Sequence, residues 1–111
     1  MGVGLKLAFQ NMDCVNILST YDIAYCTLIG SECIISTASK EKLYTGWNLK
    51  SLECFLCDEK FCRINHSTIV NIDQVKKYHY GLQPIIEMND GIKFYISRRK
   101  KSAFISKISD F

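Results

Sequence analysis

With 111 residues, the chain has the length of one domain, 1–111, which can close a core without disulfide or metal staples. Hydrophobic residues at 48% and charged residues at 23%, with a single proline, exclude a disordered tail or a Pro-rich linker. Residues 1–6 contain no apolar h-region and no stretch is long enough to span a bilayer, so a soluble, cytoplasmic protein with its six cysteines (14, 26, 33, 54, 57 and 62) reduced is expected.

The net charge of +3 is unevenly spread. Residues 1–59 carry four lysines and seven acids; residues 60–101 carry nine Lys/Arg and three acids; the last ten balance. A basic second half suits an anionic partner. A solvated basic face is the plainer alternative.

Short strands dominate the chain order. Leu5, Leu7 and Phe9 alternate as one strand, and 14–18 reads as its partner. Runs 23–28, 33–37 and 42–45 follow, the last two around a tight Ser39-Lys40 turn. Asn48 can N-cap a helix whose Leu49, Leu52 and Leu56 share a face, and the polar run 57–60 ends it. Further strands are expected at 61–64 and 75–80. A hairpin joins 85–88 to 92–96, and its Asn89-Asp90-Gly91 turn draws positive φ angles from Asp-Gly. Ile92, Phe94 and Ile96 would form the buried face of that hairpin. Ser97-Arg98-Arg99-Lys100-Lys101 leads into a final short helix with Phe104, Ile105, Ile108 and Phe111 on its apolar side.

Two segments carry a resemblance. Phe61-Cys62-Arg63-Ile64-Asn65-His66-Ser67-Thr68-Ile69-Val70-Asn71 resembles the F-x-R-I-H-x-S-x-x-V-N signature of the LytTR family of bacterial DNA-binding domains. Ile96-Ser97-Arg98-Arg99 resembles its V-S-R-R, lying likewise between a hairpin and the last helix. Asp22-Ile23-Ala24-Tyr25, Gly30-Ser31-Glu32 and Asn48-Leu49-Lys50-Ser51-Leu52 fall into register with its D-I-L-Y strand, G-H-Y loop and S-L-K-E-L helix. The resemblance covers roughly residues 5–110. It implies a mostly-β fold, LytTR-like, of stacked small antiparallel sheets with two short helices. It also implies sequence-specific binding to double-stranded DNA at short direct repeats, with loops in the major groove; no cofactor is expected, and the lack of a spanning apolar run argues against membrane contact. Members usually carry a receiver domain or membrane segment, and this sequence shows neither. Action alone, control by a regulatory partner protein, and origin as a piece of a longer chain all stay open.

The same resemblance implies three base-reading positions. His66 matches one, and imidazole can donate to or accept from a purine edge. Arg99 matches the second and suits a bidentate grip on guanine. Ser31 or Glu32 occupies the third, where many members have histidine; Glu32 suits phosphate poorly but can accept from cytosine. Arg98, Lys100 and Lys101 are the phosphate candidates, since cations at a helix N-terminus oppose its dipole and call for an outside partner. Arg63, Asn65 and Ser67 would bind phosphate or brace the turn, and Asn71 would bond backbone. Lys76 and Lys77 read as surface charge, and Phe61, Ile64, Ile69 and Val70 as core.

Four rival readings remain. Cys54, Cys57, Cys62 and His66 have spacings that imitate a zinc module, although helix, loop and strand would hold them apart. Cys62 beside Arg63 and His66 could be an activated, redox-sensitive thiol. Cys62 and His66, four apart, could imitate a catalytic Cys-His dyad, but a buried strand position would not give the accessible thiolate it needs, and no nucleotide-binding or hydrolase fingerprint is present, so a non-enzyme is expected. Last, the altered Ser31-Glu32 loop suits a protein-interaction module that has lost DNA binding.

Overall fold

In the computed structural model the described residues are 6–10, 13–56 and 60–108, without the Phe9 side chain. Leu5, the Phe9 side chain, the 57–59 part of the helix-ending run and Phe111 therefore lie outside them.

Among the described residues, ten strands and two α-helices follow in chain order. β1 (Lys6–Gln10) and β2 (Val15–Ser19) form an antiparallel pair. β3 (Ile23–Ile29), β4 (Glu32–Thr37) and β5 (Lys42–Thr45) precede helix α1 (Leu49–Phe55). β6 (Phe61–Asn65) and β7 (Thr68–Asn71) come next, then β8 (Val75–His79), β9 (Ile85–Met88) and β10 (Lys93–Tyr95). A 3-10 turn at Arg98–Lys100 runs straight into α2 (Lys101–Ser106). The expected mostly-β class with two short helices is what is found. β7 is the strand that periodicity alone did not single out.

The central sheet has the order β5-β4-β3-β7-β6, all antiparallel, flanked by a three-stranded sheet β10-β9-β8 and the β1-β2 pair. Both of its faces are covered. On one face Ile23, Cys26, Cys33, Ile35, Phe61 and Ile69 pack with Leu7 of β1 and Leu49, Leu52 and Leu56 of α1. On the other, Tyr25, Cys62, Ile64 and Val70 pack with Ile86 and Met88 of β9, Ile96 and Phe104 of α2. Two-sided burial requires apolar residues on both faces of a strand, which is why β3 reads as a near-continuous apolar run rather than an alternation.

Local chemistry sets the ends. Asn48 Oδ1 accepts from Ser51 N at 2.8 Å, the N-cap that starts α1. Asn71, 2% exposed, donates from Nδ2 to Ile23 O at 2.8 Å and accepts from Asp73 N, so its amide serves backbone as expected. The β9–β10 hairpin differs from expectation in two ways. Gly91 has φ of 90° but Asp90 is not in the positive region, so the loop is a turn closed by one left-handed glycine rather than a two-residue Asp-Gly turn. The Asp90 carboxylate instead accepts from Ile92 N and from Tyr25 OH, each bond under 3 Å, tying this hairpin to the central sheet. Ile92, expected to be buried, follows that turn, accepts from Met88 N at 2.8 Å, and is 46% exposed.

Phe104 is fully buried, stacks with Tyr78 at 6.1 Å between centroids, and anchors α2. Truncation would leave a large cavity under this short helix. Phe104→Ala is expected to cost about 3–5 kcal/mol in urea unfolding; a loss below about 1 kcal/mol would show that α2 is not held by this ring.

Candidate nucleic-acid interface

The β6–β7 connection puts three expected site residues in consecutive positions. A register shift between Arg63 and Asn65 precedes the last pair of the ladder, Asn65 with Thr68, and Asn65 closes the turn. Its Oδ1 accepts from Ser67 N at 2.8 Å and from Ser67 Oγ at 3.0 Å, while its Nδ2 donates to Tyr95 O at 2.7 Å. With Asn65 2% exposed, both of these side chains are engaged inside the fold and leave His66 as the exposed tip. Tyr95 OH and His66 Nδ1 share a hydrogen bond of 3.1 Å, which restricts the imidazole.

Arg63 braces the same turn from below. Its Nε donates to Asn65 O at 3.2 Å and its Nη2 to His66 O at 2.6 Å. Its Nη1 pairs with Glu53 Oε1 of α1 at 2.8 Å, the two side chains 21% and 40% exposed. A planar fork meeting three acceptors at set angles is a task for Arg rather than Lys. Of the two roles expected for Arg63, bracing is the one its geometry displays.

Two backbone bonds bring the remaining segments to this edge. Leu28 N donates to Ser67 O at 2.8 Å, so the β3–β4 turn with Ser31 and Glu32, both exposed, flanks the 65–67 turn. Ser97 N donates to Ile64 O at 2.8 Å, placing the 97–101 segment on the other flank. There Arg98, Arg99 and Lys101 are exposed and Lys100 is half-buried. The first three sit on or just after a 3-10 turn, and neither Ser97 nor Lys100 makes a side-chain cap. The edge thus presents three turns, His66 between them, and a cluster of cations on one side.

Tyr95 and Glu53 do structural work here that sequence reasoning missed. Tyr95 was visible only as an outward position of a strand. No spacing rule links Glu53 to Arg63, ten residues away.

The thiols are placed differently from what an activated cysteine requires. Cys62 is buried, and burial pushes its thiol above the ordinary value, against the opposing charges of Lys107 and Lys100. That overturns the environment expected for a redox-sensitive thiol. Cys54 is exposed on α1 whereas Cys62 is interior. Among the described residues no three His, Cys, Asp or Glu side chains group as a metal site. No described helix is long and apolar enough to cross a membrane.

A second charged feature lies on the three-stranded sheet, where His79 Nε2 and Glu87 Oε1 are 2.8 Å apart. The bond with His79 holds the Glu87 carboxyl below its ordinary value, helped by Lys77 and Lys93 and opposed by desolvation.

A family model for the LytTr DNA-binding domain matches residues 13–109. Among solved structures, one similar chain is the LytTr DNA-binding domain of a protein described as a methyl-accepting/DNA response regulator from Bacillus cereus. Its TM-score is 0.79 at 16% identity, over 94% of this chain and 96% of that one, a likeness in fold. Comparison with curated proteins gives no match.

Two outcomes follow from these contacts. Arg63→Ala should speed amide exchange at Leu28 and Ser67 relative to Ile35, because the turn loses the donors to its two carbonyls and its tie to Glu53; equal protection would show that the turn holds without the brace. For Glu87, a depressed folded pKa means stability that is present above the ordinary carboxylate range and lost as pH falls through the folded value. Glu87→Gln should therefore flatten the acid limb of a stability–pH curve, and an unchanged limb would assign acid sensitivity elsewhere.

Proposed function

The chain belongs to the LytTR family of DNA-binding domains, and from that premise we propose that it is a non-enzymatic transcriptional regulator that reads duplex DNA by sequence. One observation carries the reading: the 30–32, 65–67 and 97–101 segments leave the fold at a single edge, where hydrogen bonds under 3 Å at or beside their ends (Leu28 N to Ser67 O, Ser97 N to Ile64 O, Asn65 Nδ2 to Tyr95 O) hold the chain together. A rigid edge with exposed His66 and Arg99 suits base readout in the major groove, where side chains must arrive in fixed register.

Roles divide by exposure and engagement. His66 and Arg99 read base edges, with Arg99 a candidate for guanine O6 and N7. Ser31 and Glu32 flank them, and Glu32 would accept from a cytosine amino group rather than approach phosphate. Arg98, Lys100 and Lys101 supply phosphate contacts and with them the salt dependence. Arg63, Asn65 and Ser67 support the reading turn from within. Two copies side by side on direct repeats, and a regulatory protein that controls access, complete the proposal. It places the chain in the cytoplasm with the DNA.

Selection of duplexes from a random pool, followed by salt titrations of the winner, tests this. The wild-type chain should enrich a motif. Arg99→Ala and His66→Ala should lose preference at defined base pairs, with about 1–3 kcal/mol lost at the Arg99 position. Lys101→Ala should weaken all duplexes alike and lower the salt slope by about one. Weak, salt-sensitive binding with no enriched motif would sink the proposal and point to a protein-interaction module instead.

A further inference from the structure

Resting on the DNA-binding reading above, we propose that the β8–β9 loop is a fourth contact with the duplex, in which the Leu82 side chain packs on the 5-methyl group of a thymine. The loop runs Tyr80-Gly81-Leu82-Gln83-Pro84. Leu82 is 108% exposed and Tyr80 84%. One exposed leucine calls for no explanation. Here two large apolar side chains stand two residues apart, where turns ordinarily carry polar residues. Gly81, with φ of 147°, reverses the chain between them.

The loop is pinned beside the proposed reading edge. Gln83 Nε2 donates to Ile96 O at 2.9 Å, and Ile96 N donates to Pro84 O at 3.2 Å. Ser97 and the exposed Arg98 and Arg99 follow directly. The strand register agrees: His79, Ile85 and Tyr95 are opposed at one end of the three-stranded sheet, the end from which Tyr95 reaches His66. Tyr80 leans edge-on against Tyr78 at 5.5 Å, and Tyr78 stacks on Phe104. The base of the loop is thus built on the core while Leu82 projects past it.

Chemistry selects the partner. An apolar protein surface meeting Leu82 would have to desolvate the neighbouring arginines. A duplex offers both groups what they need, phosphate oxygens or guanine acceptors for the cations and the thymine methyl, the apolar feature of the major-groove edge, for the leucine. An exposed aliphatic tip next to exposed cations fits that pairing.

The test uses the duplex selected by the whole chain, with each thymine replaced in turn by deoxyuridine, which removes only the methyl. One replacement should weaken wild-type binding by about three- to fivefold, the value of one buried methyl. Leu82→Ala should weaken binding to the parent duplex by a similar factor and become indifferent to that replacement. Because Leu82 is exposed, the variant should unfold at the same temperature as wild type. If Leu82→Ala binds every duplex as wild type does while Arg99→Ala loses its base preference, the fourth contact is overturned and the DNA-binding reading stands. If neither variant alters binding, both fall. Full retention of the deoxyuridine effect in Leu82→Ala, or loss of self-association with unchanged DNA affinity, also overturns the contact.

Discussion

The central five-stranded sheet is buried on both faces, by α1 and the β1–β2 pair on one side and by the three-stranded sheet and α2 on the other. Side chains along its inner strands β3, β4 and β7 therefore reach solvent mainly at strand ends. Polar chemistry is pushed into the turns, and antiparallel neighbours put alternate turns at the same end. The β3–β4 and β6–β7 turns are such a pair, because β3 lies directly beside β7. Functional clustering here is a consequence of sheet order rather than of any sequence neighbourhood.

What makes that end a defined surface is the amide of Asn65. It joins the 65–67 turn to Tyr95 of the other sheet while the adjoining backbone bonds Ser97 to Ile64. Buried amides of this kind are costly when unpaired and specific when satisfied. Arg63 adds a charged brace from α1. Its pairing with partly exposed Glu53 contributes little to net stability, so its value lies in the angle at which it holds two carbonyls. A reading surface needs this kind of preorganisation, since every side chain free to wander loses affinity through ordering.

The fold also separates reactive groups from the edge. The thiols of Cys26 and Cys62 sit in the two cores, where burial raises both. His66 stands at the tip with Tyr95. A cysteine and a histidine four residues apart in sequence thus occupy opposite environments, interior and surface, and the apparent zinc or dyad spacing does not become a cluster among the described residues.

Sequence by itself determined the local elements. The Asn48 cap, the leucine stripe of α1, the alternation of the outer hairpin and the apolar face of α2 obey short-range rules, and the LytTR-like signature named the turn and the arginines that reach the edge. Asn71 was legible for the same reason, since an amide in a turn bonds backbone. β7 was not, because four residues buried on both sides show no period. The exposure of Ile92 was not, because alternation with Phe94 and Ile96 does not show that the face opens to solvent next to the turn. Only the tertiary structure decided that Arg63 serves as a brace, that Asn65 and Tyr95 join two sheets, and that the 80–84 loop lies beside the arginines. Each of these depends on contacts between residues distant in the chain, and no local pattern encodes which ones will meet.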